Sequence, residues 1–146
     1  AIERDPFASG SAGTSDALAA QPFLPLTAEQ TDALAALEAL VDRGFQAALL
    51  HGVTGSGKTQ VYLRLAQATL AKNRGVLLLV PEIALTSAVA SLFRRAFGPR
   101  LAIQHSGLSD GERCDQWHRI RRGEVDVVIG TRSAVFAPLP QPGLII

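Results

Sequence analysis

Eight consecutive residues, Gly52-Val53-Thr54-Gly55-Ser56-Gly57-Lys58-Thr59, match G-x-x-x-x-G-K-[ST] in full. The chemistry this pattern suits is the holding of a triphosphate. A loop whose backbone N–H groups converge on several negative charges needs residues that tolerate unusual φ and close approach, and Gly52, Gly55 and Gly57 supply them. Free N–H groups at the start of a following helix add positive dipole, and Lys58 reaches the β and γ phosphates as a point charge. The Thr59 hydroxyl is placed to ligate Mg²⁺. Lys58 and Thr59 are therefore the catalytic candidates, Gly52 to Thr59 the cofactor-binding ones, and ATP with Mg²⁺ the expected ligand. The bland alternative is a tight strand-to-helix turn with a solvated lysine. Kinases, transporters, GTPases and helicases share this loop, so it does not by itself name the machine.

The elements that must position such a loop are a strand before it and a helix after it. Phe45 to Leu50 reads as that strand, and Lys58 to Lys72 as that helix, with Val61, Leu65 and Ala68 on one face. Upstream, Thr27-Ala28-Glu29-Gln30 is a capping box opening a helix in which Leu34, Leu37 and Val41 recur until Gly44. Downstream, the apolar run Val76 to Val80, ended by Pro81, predicts a strand buried on both faces. Val89, Leu92, Phe93, Ala96 and Phe97 predict an amphipathic helix closed by Gly98-Pro99. Leu101 to Gln104 and Val125 to Ile129 read as strands, and Leu144 to Ile146 as the start of another. Between them, Ser109-Asp110-Gly111-Glu112 opens a helix that should carry Cys114, Trp117 and Ile120 inward and end near Gly123. Alternating strands and helices imply an α/β domain with a mainly parallel sheet and helices on both faces. Residues 1–25 mix Ala, Gly, Ser, Pro and Asp without a period and read as a linker or tail, leaving 26–146 as one lobe.

A chain of 146 residues, 47% hydrophobic and 5% aromatic, suits one aliphatic core rather than two lobes. Fourteen basic against thirteen acidic side chains leave +1, so bulk attraction to nucleic acid or membrane is not indicated and any phosphate contact must be local. Cys114 is the single cysteine, which excludes an internal disulfide, and no apolar run approaches a membrane span. A cytoplasmic location with no membrane association is the expectation. The absence of Met and the strand still running at Ile146 suggest an internal, C-terminally truncated piece.

Four segments occur in order: Leu49 to Thr59, Val80-Pro81-Glu82-Ile83-Ala84-Leu85-Thr86, His105 to Arg113, and Ile129-Gly130-Thr131-Arg132-Ser133-Ala134. Together with Phe136-Ala137-Pro138 they closely resemble the helicase core of the primosomal protein N′ (PriA) family, the replication restart helicases of superfamily 2. The resemblance spans residues 26–146. A RecG-like helicase would share the loop but not the whole series. The resemblance implies a RecA-like P-loop NTPase lobe, the first of two, in an ATP-dependent 3′ to 5′ DNA helicase. It implies single-stranded and forked DNA, primosome proteins and single-strand-binding proteins as partners. It also places an acidic D-E-x-H motif just beyond Ile146, so the piece alone is not expected to hydrolyse ATP. Two departures are Gln60, where the family usually has Glu, and Ser87, where it often has Pro. Gln60, two places into the helix, should point away from the phosphate.

By the same resemblance, Gln30 matches a glutamine that reads the adenine edge, against its role in the capping box. Thr86, Gly130, Thr131 and Arg132 match segments that grip the backbone of single-stranded DNA, against a helix cap and an ordinary strand-end turn. Glu82 beside the crevice is as well read as a solvated carboxylate. Arg119, Arg121 and Arg122 are favoured at a helix C-terminus by its dipole and need no partner. His105 reads as a structural hydrogen-bonding residue or a coupling residue between ATP and DNA, His118 as surface and Cys114 as core. The rival functions are a non-catalytic nucleotide-binding or assembly module and a P-loop enzyme of another kind, such as a small-molecule kinase.

Overall fold

The computed structural model describes residues 23–81 and 88–146. The sheet forms where the apolar runs lie: β1 (Gly75–Leu79), β2 (Leu101–Gln104), β3 (Val127–Gly130) and β4 (Pro142–Ile145). Their order is β2-β3-β1-β4, and every pairing is parallel. Val76 stands opposite Val127 and Leu78 opposite Ile129, while Leu101 and Ile103 flank the same two β3 residues on the other side.

Side chains alternate across a strand, so this register sorts the apolar residues into two layers. Val76, Leu78, Val127 and Ile129 meet Leu63, Ala66 and Leu70 of α2 (Lys58–Ala71) and Phe93 and Phe97 of α3 (Ala88–Phe97). Leu77, Ala102 and Val128 on the opposite face meet Val125, Ala134 and Ile120, the last from α4 (Asp110–Arg121). Two covered faces explain why β1 and β3 are continuous apolar runs rather than alternating ones. The α/β expectation with helices on both faces is what the chain adopts.

Three expectations are corrected. Phe45 to Leu50 is not in the sheet: it makes no ladder, and Phe45 and Leu49 are 95% and 88% exposed. A strand exists only when another supplies partners for its N–H and C=O groups. Here a groove of about 960 Å³, bounded by Leu37, Leu40, Phe45 and Leu49 on one side and Leu144 and Ile146 on the other, separates this stretch from the free edge of β4. Secondly, α1 (Ala28–Glu38) stops short of Gly44 because its end tightens into i→i+3 bonds, Leu40 N–H to Leu37 O at 3.0 Å and Val41 N–H to Glu38 O at 3.2 Å. Thirdly, of the three residues expected inward on α4 only Ile120 is buried, Trp117 being 37% exposed and Cys114 exposed. Residues spaced by three turn about 300° per step, so such a stripe drifts around the helix and cannot stay on one line facing a sheet.

Candidate nucleotide and nucleic-acid sites

The glycine loop turns as its composition requires. Gly55 and Gly57 lie at φ +82° and +79°, in the left-handed region where a Cβ is strained. Gly57 is the N-cap of α2 and offers no side chain to its first N–H groups, which therefore remain for an anion. A Cβ on Gly52 would stand 2.8 Å from Ser56 Oγ, and one on Gly57 would collide with the Gln30 amide. Backbone alone can line this cradle. Lys58 folds back across it, its Nζ donating to Gly52 O at 2.7 Å and Val53 O at 2.8 Å. Val53, Thr54, Gly55 and Ser56 are exposed, and Thr59 is half-buried in the first turn of α2. The uncapped N–H groups at the start of α2, the Lys58 ammonium and the Thr59 hydroxyl form a donor set that fits a polyphosphate. Among the described residues no cluster of three or more His, Cys, Asp or Glu could hold a metal ion, so Thr59 would supply one oxygen to a magnesium shell.

Gln30 is brought to this loop. Its Oε1 accepts from Thr27 N–H at 3.0 Å and Thr27 Oγ1 accepts from Gln30 N–H at 3.3 Å, the capping box read in the sequence. Its Nε2 donates to Ser56 O at 2.9 Å. The capping role weighed for Gln30 is present, and the same side chain also reaches the backbone of the loop. Sequence reasoning missed what stands behind it. Gln60 is 9% exposed and its Oε1 accepts from Leu24 N–H at 3.1 Å. Arg64, one turn on, donates to Leu24 O at 3.3 Å and lies 4.9 Å from the Phe23 ring centre. The i, i+4 spacing of Gln60 and Arg64 was the available signal.

The parallel strands all end at one edge of the sheet, where ligands gather in such folds. There Gly130 closes β3, and a Cβ on it would stand 2.5 Å from Gln104 O. Thr131 is 4% exposed and its N–H donates to Gln104 O at 3.2 Å. It starts the 3₁₀ turn Arg132–Phe136, with Ala134 N–H donating to its carbonyl at 2.8 Å, and Arg132 projects exposed from that turn. Thr131 and Gly130 shape the turn, and Arg132 is its accessible cation. Thr86, Glu82 and Ser87 lie outside the described residues. His105 follows β2, its Nδ1 accepting from Gly107 N–H at 3.1 Å. The arginines at the end of α4 are engaged locally: Arg119 donates to Pro99 O at 3.1 Å, Arg121 lies 5.3 Å from the Trp117 ring centre, and Arg122 pairs with Glu124 at 2.5 Å. Among the described residues no helix is long and apolar enough to cross a membrane.

Comparison with known proteins agrees with this geometry. A profile described as DEAD/DEAH box helicase matches residues 27–143, and such domains have the RecA-like fold. The chain is similar to proteins named replication restart protein PriA. It is 48% identical over 124 residues to that of Bacillus subtilis (strain 168), covering 84% of this chain and 15% of the relative. It is 54% identical over 104 residues to that of Synechocystis sp. (strain ATCC 27184 / PCC 6803 / Kazusa), covering 71% and 12%, and 40% identical over 127 residues to that of Helicobacter pylori (strain ATCC 700392 / 26695), covering 86% and 20%. The chain therefore spans a fifth or less of the length of these relatives.

Proposed function

This chain belongs to the DEAD/DEAH box helicase family, and from that membership together with its likeness to proteins named replication restart protein PriA we propose that it is the nucleotide-binding RecA-like lobe of an ATP-driven 3′ to 5′ DNA helicase acting in replication restart in the cytoplasm. The observation that carries the reading is the loop itself, with Lys58 resting on the Gly52 and Val53 carbonyls and Gln30 on Ser56 O. Hydrolysis of a bound nucleoside triphosphate with Mg²⁺ supplies the free energy for movement along DNA.

The chain's own residues do the following. Lys58 exchanges two neutral carbonyl acceptors for charged phosphate oxygens, a gain because Coulombic attraction between opposite charges is added to bonds whose donor is already ionised. Gly52 to Gly57 and the first N–H groups of α2 would hold the remaining oxygens, and the Thr59 hydroxyl would be a ligand for the Mg²⁺ that neutralises the phosphate charge. Gln30 keeps one amide N–H on Ser56 O and presents the other toward the adenine edge. Arg132, with Thr86 and the Gly130-Thr131 turn, grips the phosphate backbone of single-stranded or forked DNA without reading sequence. Primosome proteins and single-strand-binding proteins are the expected partners of the whole protein.

The test is phosphate release by the full-length protein with and without single-stranded DNA. Stimulation by DNA is expected; release that DNA leaves unchanged would replace the motor by a nucleotide-binding assembly module.

A further inference from the structure

We propose that Gln60 and Arg64 are positioning residues that hold Gln30 against the nucleotide loop, and so set the preference for adenine without touching the nucleotide. The proposal rests on the reading of Gln30 as the residue that meets the base edge.

The connection is a closed circuit of hydrogen bonds joined by two short stretches of backbone, Leu24 to Thr27 and Ser56 to Gln60. It leaves α2 at Gln60, whose Oε1 accepts from Leu24 N–H at 3.1 Å, and at Arg64, whose Nη2 donates to Leu24 O at 3.3 Å. Both backbone polar groups of Leu24 are thereby fixed to one face of α2. Phe23 adds an apolar anchor, packed against the main core beneath the Arg64 guanidinium. Pro25 then restricts the path to Thr27, where the capping box fixes Gln30 by 3.0 and 3.3 Å bonds. The circuit returns to its origin at Ser56 O, which accepts from Gln30 Nε2 at 2.9 Å.

A capping box alone orients a glutamine relative to its own helix and says nothing about where that helix points. What aims it at the loop is the attachment of residues 23 and 24 to α2, the helix that begins at Lys58. Ser56 and Gln60, the two ends of the circuit, are close in sequence on either side of the start of α2, so any shift of Leu24 on α2 is passed to Gln30 over a short path. Leu24 requires only an acceptor at position 60, and a carboxylate there would serve as well as the Gln60 amide oxygen.

The experiment measures dissociation constants of ATP, GTP and inorganic triphosphate for the full-length protein and for Gln30→Ala, Gln60→Ala, Gln60→Glu and Arg64→Met, with thermal unfolding followed alongside. Gln60→Ala and Arg64→Met should weaken ATP by roughly five- to ten-fold, the worth of about one hydrogen bond, while GTP and triphosphate stay within about two-fold. Gln60→Glu should bind ATP as the parent does, and Gln60→Ala should add no further loss in the Gln30→Ala background. Arg64 is half-buried, so Arg64→Met decides the matter if Gln60→Ala fails to fold. Equal weakening of all three ligands would mean that Gln60 merely supports the loop, and overturns the proposal. An unchanged ATP preference in Gln60→Ala and Arg64→Met, with that preference lost in Gln30→Ala, overturns the positioning role alone. If Gln30→Ala itself keeps the ATP preference, the base-reading role fails and the positioning role falls with it.

Discussion

Lys58 and Arg132 are both cations at the accessible edge of the lobe, and the structure gives them different surroundings. Lys58 is half-buried and its ammonium serves two loop carbonyls, which water can satisfy when the side chain is removed. Lys58→Ala in the full-length protein should therefore lower ATP hydrolysis by at least two orders of magnitude, the usual loss of a positioned donor to developing charge, while stability changes by less than about 1 kcal/mol. Steady-state phosphate release beside chemical denaturation checks this, and a variant that unfolds would contradict it. Arg132 is exposed on a turn whose backbone is already used by Gln104, so it contributes charge rather than shape. Arg132→Ala should weaken single-stranded DNA binding alike for all sequences and reduce the slope of log affinity against log salt by about 0.7, one phosphate contact on a single strand. A change in sequence preference would assign it to a base instead.

At the scale of elements, the helices owe their boundaries to local chemistry and their stability to the sheet. In α4 the capping box is complete: Glu112 accepts from Ser109 Oγ at 2.6 Å and Ser109 N–H at 2.8 Å, and Glu112 N–H donates to Ser109 Oγ at 3.3 Å. The Ser109 hydroxyl first, then the Ser109 N–H, holds the Glu112 carboxyl below the ordinary glutamate range, with His105 adding in the same direction. A carboxyl whose pKa is lower in the folded than in the unfolded chain stabilises the fold fully above the ordinary glutamate range. That contribution is lost as pH falls through the lowered value. Glu112→Gln, which keeps an acceptor but cannot titrate, should thus differ from the parent more at neutral than at acid pH. Denaturant midpoints measured across that range show it, and a difference independent of pH would refute it. Leu63 of α2 is fully buried against β1 and β3. Leu63→Ala should cost about 2–5 kcal/mol through lost transfer energy and the cavity left behind, measured as a shift in denaturant midpoint at constant slope.

For the molecule as a whole, the loop supplies donors that fit a polyphosphate, while hydrolysis also needs an acidic group that orients the attacking water and a second lobe that closes over the γ-phosphate. The 146-residue chain made alone should bind ATP weakly and release phosphate no faster with DNA than its Lys58→Ala control; a rate well above that control would sink the reading. Much of this was legible in order along the chain. The glycine loop, both capping boxes and the strands at Leu77, Ile103 and Val128 are specified by neighbours within a few residues, through φ preference, side chain to backbone bonds and unbroken apolar runs. Phe45 to Leu50 has the composition of a strand and is not one, because strand pairing depends on a partner far along the chain. Cys114 and Trp117 have the spacing of a buried stripe and stay at the surface, because which part of a helix meets a sheet depends on how the two are set together. The grip of Gln60 and Arg64 on Leu24 spans 36 and 40 residues. No local rule forecasts a bond of that separation, whose two ends meet where Phe23 packs against the core.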